Sequence, residues 1–195
     1  MKYLNFLIFI LMSMAIVACD STNKPEDPQD NDFFPLRVGN KFLYKLSPES
    51  YGMNIHLLPE EAEVKVTRKV EKFGKIYYEI KNYFFLNGFE NTVYARNENN
   101  NVYFLAKDKE VLFYMFDPSL DTMYIVPNLR PDGNWSDGGL RTKLFDYGED
   151  YFIFWSGFTF DLDKYFKFEK GKGLTQIITD SYGGKSRYDL VEVYR

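Results

Sequence analysis

The sequence predicts an all-β fold, an antiparallel meander closing into a half-barrel, a barrel or a sandwich. Two observations carry the prediction. From Phe33 onward apolar and polar residues alternate with a period of two, and turn-forming clusters recur roughly every eight to twelve residues. No stretch of the same region sustains the i, i+3, i+4, i+7 pattern over three turns, so helices are not expected. Hydrophobic residues are 45% and charged residues 27% of the 195, which excludes a disordered polymer and a multi-span membrane protein.

The elements follow in order. Ala62, Val64, Val66 and Val70 line one side of a strand whose other side carries Glu63, Lys65 and Lys69. Phe73-Gly74 turns the chain, and Ile76, Tyr78 and Ile80 then alternate with Tyr77, Glu79 and Lys81. Asn87-Gly88 is a strong hairpin signal, because both residues tolerate positive φ. Apolar runs at Val93–Ala95, Val102–Ala106, Val111–Phe116 and Met123–Val126 read as further strands. They are separated by turn chemistry at Asn97–Asn101, Lys107–Lys109 and Asp117-Pro118-Ser119. Trp155-Ser156-Gly157-Phe158 reads as a tight turn between strands Tyr151–Trp155 and Phe158–Leu162. The last hairpin, if Gly183-Gly184 is its turn, sets Tyr182 opposite Lys185, Ile177 opposite Leu190 and Asp180 opposite Arg187.

The first 32 residues are of another kind. Phe6 to Ala18 runs thirteen residues without a charge after Lys2. As a helix this spans about 20 Å, short of the roughly 30 Å hydrocarbon core, so it reads as the h-region of a secretory signal. Residues 20–32 contain no apolar side chain, two prolines and the acids Asp20, Glu26, Asp27, Asp30 and Asp32. Such a segment cannot bury enough surface to offset its chain entropy and is expected to be a disordered tether, with a reach of at most about 45 Å. The expected organisation is a signal over 1–18, Cys19 with its acidic tether over 19–32, and one β domain over 33–195.

Ile16-Val17-Ala18-Cys19 resembles a bacterial lipobox, and the sole Cys of the chain falls on its required position. The resemblance implies cleavage before Cys19, a diacylglycerol thioether on its sulfur and an acylated amino end. It also implies attachment to a bacterial envelope membrane, with the outer membrane as the expected location. One acyl chain holds a protein only marginally, whereas two or three make attachment close to permanent. A second resemblance runs through the domain. Pro35-Leu36-Arg37-Val38-Gly39-Asn40-Lys41-Phe42-Leu43-Tyr44 is similar to an opening found in bacterial lipoproteins, with Phe42 where Trp is usual, and Gly171-Lys172-Gly173-Leu174 resembles a later landmark of the same group. That group implies compartment and fold but no reaction.

The chemistry-bearing residues are sparse. One Cys and one His leave no disulfide framework, no Cys/His zinc site and no Cys–His nucleophilic pair. His56, between Ile55 and Leu57, reads as a packed or rim histidine. Trp155-Ser156-Gly157 lacks the first Gly of a nucleophile elbow, and Gly184-Lys185-Ser186 lacks the rest of a phosphate loop. Asp132 to Gly139 offers hard oxygen ligands, but the position that a calcium loop gives to Glu is Lys143, so a Gly-rich surface turn is the expectation. No metal and no cofactor are expected. A net charge of −4 argues against nucleic acid as a partner.

Aromatic density around Tyr151–Trp155 and Tyr165–Phe168 occurs on both faces of the strands. Either the sheet is covered on both sides, or it offers a surface for an apolar or sugar-like ligand. Trp135, Tyr151 and Trp155 are the candidate contacts, and Cys19 is the candidate lipid site. The expected function is that of a non-catalytic, lipid-anchored binding or accessory module, with an apolar or sugar-like ligand or an envelope protein as partner. The alternatives are a structural subunit of an outer-membrane complex and a carboxylate-dependent hydrolase.

Overall fold

The computed structural model describes residues 31–84, 92–106, 109–119, 123–129, 135–158 and 162–195. Its strands are β1 (Lys41–Leu46), β2 (Tyr51–Gly52), β3 (Glu61–Lys72), β4 (Lys75–Lys81), β5 (Thr92–Glu98), β6 (Asn101–Ala106) and β7 (Lys109–Met115). They continue as β8 (Tyr124–Leu129), β9 (Trp135–Tyr147), β10 (Tyr151–Phe158), β11 (Leu162–Glu169), β12 (Gly173–Ser181) and β13 (Gly184–Tyr194). A 3-10 turn, Ile55–Leu57, carries the exposed His56.

All thirteen strands form one antiparallel sheet in the order β7-β6-β5-β4-β3-β1-β13-β12-β11-β10-β9-β8, with β2 beside β13. The strands thus follow the chain around a nearly closed barrel. Strand β1 seals the junction between the two ends of the domain by pairing with both β3 and β13. The seam lies between β7 and β8, where the Tyr124 hydroxyl donates to the Phe113 carbonyl at 2.8 Å. Alternation decides most faces: Val64 and Val66 on β3, Phe152 and Phe154 on β10, and Phe166 and Phe168 on β11 all point inward and are buried. Val70, expected beside them, is an exception, because an irregularity between Val66 and Arg68 sets it opposite Tyr77 on the outer face and Lys69 opposite Tyr78.

The interior is filled by rings. Tyr114 on β7 meets Phe154 on β10 and Phe168 on β11 at centroid distances of 5.4 and 4.6 Å. Beside Phe42 and Tyr44 a residual apolar cavity of about 30 Å³ remains, room for one or two waters but not for a lipid chain. The described inner-face aromatics are buried against one another in one core cluster, so their density is core packing.

The opening motif gains a physical meaning. Phe34 packs on Phe104, Tyr114 and Phe168, and Phe33 packs on Phe116 and Phe152, so the arm before β1 plugs one end of the barrel. Gly39 turns the chain at φ 98°, and the buried Asn40 accepts from Val66 N through its carbonyl at 2.9 Å. The later Gly-x-Gly-Leu landmark docks on the same arm. Gly171 N donates to Asp32 O at 2.7 Å, a Cβ on Gly173 would stand 3.1 Å from Pro35 Cδ, and Leu174 O accepts from the Tyr44 hydroxyl at 2.8 Å. This arm also moves the domain boundary. Asn31 and Asp32, placed in the tether by composition, belong to the fold: Asn31 is buried and its side-chain oxygen accepts from Phe33 N and Phe34 N.

Two of the expected turns need correction, and two lie wholly or partly outside the described residues. The segment Trp155-Ser156-Gly157-Phe158 is not a turn; β10 runs straight through it. The last hairpin turns at Tyr182-Gly183, not Gly183-Gly184, so Ile177 faces Tyr188 instead of Leu190 and Asp180 faces Lys185 instead of Arg187. The cause is remote in sequence. Gly184 pairs with Gly52 of β2, and any Cβ on Gly184 would overlap Tyr51 O and Gly52 Cα, so this glycine serves a close strand approach. The Asn87-Gly88 signal lies outside the described residues, as do Lys107 and Asp108 of the Lys107–Lys109 turn, whose Lys109 begins β7.

The turn expected at Phe73-Gly74 is present, and the one expected over Asn97–Asn101 narrows to Asn99-Asn100, since Asn97 and Glu98 belong to β5 and Asn101 to β6; all four turn residues hold positive φ. Phe73 is the exception among residue types: it is exposed and holds φ at 53°. Substituting Phe73→Asn should raise stability by about 1 kcal/mol in urea denaturation, because Asn tolerates that conformation and no packing is lost; an unchanged midpoint would show that the Phe73 backbone carries no such strain.

Candidate functional site

Strands β9, β10 and β11 present a second aromatic surface on the outside of the barrel. With Phe152, Phe154 and Ser156 inside, Tyr151, Ile153 and Trp155 face outward and are half-buried. Antiparallel register fixes their neighbours. Lys143, Trp155, Tyr165 and Ile178 form one row across β9, β10, β11 and β12. The next row reads Arg141, Gly157, Asp163, Asp180, Lys185 and Tyr51, ending on β2.

Gly157 is the reason the first row has its shape. A Cβ on Gly157 would stand 2.5 Å from the Trp155 ring and 2.8 Å from Asp163 Oδ1. The indole therefore lies over a strand position that has no side chain, a known way for an aromatic to cover a strand glycine. Its Nε1–H donates to Asp163 Oδ1 at 2.8 Å, and the Lys143 ammonium sits 5.7 Å from the ring centre. Tyr165, directly opposite Trp155, adds a second ring, with Phe145 edge-on at 5.4 Å. Partial burial and then the nearby Asp163 and Asp180 carboxylates raise the Tyr165 phenol above its ordinary pKa.

Asp163 and Asp180 are paired across β11 and β12 on this outer face. Like charges directly opposite, with Cβ atoms about 5 Å apart, destabilise a sheet. Ionised carboxylates only accept hydrogen bonds, so they suit a partner that brings donors. Arg141 and Lys185 flank the two acids in the same row and balance their charge locally.

The sequence candidates divide accordingly. Trp155 is at the centre of this surface. Tyr151 shares its face four residues away, with its hydroxyl donating to Asp146 at 3.1 Å and Lys167 over its ring at 5.8 Å. Trp135 begins β9, but its side chain lies outside the described residues, as do Asp132, Gly133 and Asn134 of the Gly-rich segment. Ser136 to Gly139, read as part of a surface turn, belong to β9 instead. Cys19 lies outside the described residues. Sequence reasoning missed Asp163 and Asp180, because only the strand register brings them together. The one available signal was Gly157 inside an aromatic run, which was read as a turn. Among the described residues no group of three or more His, Cys, Asp or Glu could hold a metal ion.

A second polar cluster on the outer face has a structural role. Arg96 is 6% exposed, donates to Glu110 Oε2 at 3.0 Å and to Glu98 Oε2 at 2.8 Å, and lies over the Tyr103 ring. Glu110 also accepts from the Tyr77 hydroxyl at 2.7 Å and from Lys75 Nζ at 2.9 Å. The partners of these charged groups lie within the cluster, so it offers few acceptors or donors to a ligand.

No protein-family model matches the sequence, and no curated protein matches it. Among solved structures, the crystal structure of a proposed lipoprotein from Parabacteroides distasonis ATCC 8503 aligns with 85% of this chain and all of its own, at 10% identity and a TM-score of 0.42. A likeness that loose carries no inference to this chain.

Proposed function

We propose that the protein is a lipid-anchored, non-catalytic binding module of a bacterial envelope, and that the outer face of β9–β11 takes a neutral saccharide. The anchor rests on the Ile16-Val17-Ala18-Cys19 motif. The binding role rests chiefly on one observation: Trp155 is laid over Gly157 and pinned by Asp163 beside a second carboxylate. A flat aromatic with a polar rim suits a ligand with one apolar face and many hydroxyls. The local balance of Asp163 and Asp180 against Arg141 and Lys185 favours a neutral ligand over a strongly charged one.

Calorimetric titration with neutral oligosaccharides, maltopentaose and chitotetraose among them, tests this. Binding with millimolar or tighter affinity is expected, weakened at least about tenfold by Trp155→Ala, which is the loss of about 1.4 kcal/mol of contact. Heat that is unchanged by the substitution, or no heat at millimolar sugar, would contradict it.

A carboxylate-dependent hydrolase has one observation in its favour, the closeness of Asp163 and Asp180. The pair stands on the outer wall, where water is not excluded from the carboxylates. Slow release of reducing sugar, lost in Asp180→Asn, would favour that reading.

A further inference from the structure

We infer a second binding site inside the barrel, for a small oxyanion held by Lys164. The inner row on β8 to β13 reads Tyr124, Thr142, Ser156, Lys164, Thr179 and Ser186 by direct register. Five of the six bear a hydroxyl and the sixth an amine. On one side this row borders the aromatic core at Phe154, Phe166 and Ile177, and on the other Val126, Leu140 and Leu162, continued by Ser181 and Gly184. A polar row against an apolar core inside a barrel is unfavourable unless its members are satisfied.

Most members are. Thr142 and Ser156 are buried and share a hydrogen bond of 2.7 Å, and the Tyr124 hydroxyl is bound at the seam. Lys164 is different. Its strand neighbours across the inner face are Ser156 and Thr179, and no carboxylate pairs with it among the described residues. Burial alone lowers the affinity of its amine for a proton, with no acid nearby to restore it. An ammonium in such a place lacks its counter-charge. A carboxylate or phosphate oxygen would supply it, and Ser156 and Thr179 carry hydroxyl donors on either side. The site is separate from the Trp155 surface, since Lys164 and Tyr165 are successive residues on opposite faces of β11.

The test is thermal unfolding of the domain in sodium acetate and in sodium phosphate, each against sodium chloride at equal ionic strength. Both oxyanions, or whichever of the two the site prefers, should raise the Tm of the wild type by several degrees, and Lys164→Met should remove the rise while Trp155→Ala leaves it intact. Equal shifts in wild type and Lys164→Met, or no shift in the wild type, would overturn the inference. Should Lys164→Met fail to fold, the ε-methylene NMR signal of Lys164 in the wild type decides. A saturable shift with acetate or phosphate and none with chloride supports the site, and no saturable shift overturns it.

Discussion

Substituting Glu110→Ala should cost about 3 kcal/mol of stability, a fall in Tm on the order of 10 °C. Glu110 joins Arg96, Tyr77 and Lys75 in one cluster on β4, β5 and β7. Removing it leaves Arg96, almost fully enclosed, with Glu98 as its remaining carboxylate. Loss of one partner from a buried pair is costly because the other charge stays desolvated. Burial by itself would raise the Glu110 pKa, but hydrogen bonds from Arg96, Tyr77 and Lys75 outweigh it and hold the carboxyl at about 2. A depressed folded-state value means that the stabilisation is complete above the ordinary value of 4.5 and is lost as pH falls toward about 2. Urea unfolding of wild type and variant should therefore converge between those pH values. Glu98→Ala, whose side chain is more exposed, should cost under about 1 kcal/mol. Equal costs for the two substitutions would refute the ranking.

Replacing Cys19→Ser should move the protein from the membrane pellet to the soluble fraction almost completely. Each buried methylene of an acyl chain contributes about 0.8 kcal/mol, so two or three chains hold the protein where none would not. The acidic stretch from Asp20 to Asp30 carries four acids and one lysine, so it gives no electrostatic attraction to an anionic membrane. Retention of the Cys19→Ser form in the pellet after a high-salt wash would show that something other than acyl chains binds it.

Alternation makes the faces of strands legible in the sequence but not their partners. Val64, Val66, Tyr78 and Ile80 could be assigned inward from their spacing alone, because side-chain direction has a period of two. The turn at Phe73-Gly74 was legible because its signal is compressed into two residues, whereas the polar run Asn97–Asn101 located its turn without fixing it to Asn99-Asn100. The last hairpin was displaced by two positions because Gly184 answers to Gly52, 132 residues earlier; an even displacement keeps Ile177 inward and Asp180 outward and changes their partners. Gly157 was misread for a related reason: whether a glycine turns the chain or admits a neighbouring ring depends on Trp155 and Asp163 in three dimensions. The Asp163–Asp180 pair needed the β11–β12 register, which contains an irregularity between Lys167 and Phe168. The aromatics were legible as abundant. Their division into a packed interior and an outer surface follows from barrel closure, which brings β7 against β10 and β11.

The most direct measurement is the indole N–H signal of Trp155 in a proton–nitrogen NMR spectrum, followed as a neutral oligosaccharide is added to the folded domain. The account predicts a saturable shift of the Trp155 signal, accompanied by Tyr165 and Asp180 amides on neighbouring strands, with the buried Phe154 and Phe168 amides unmoved. A Trp155 signal that stays fixed while the ligand binds elsewhere, or at all concentrations up to tens of millimolar, would contradict it.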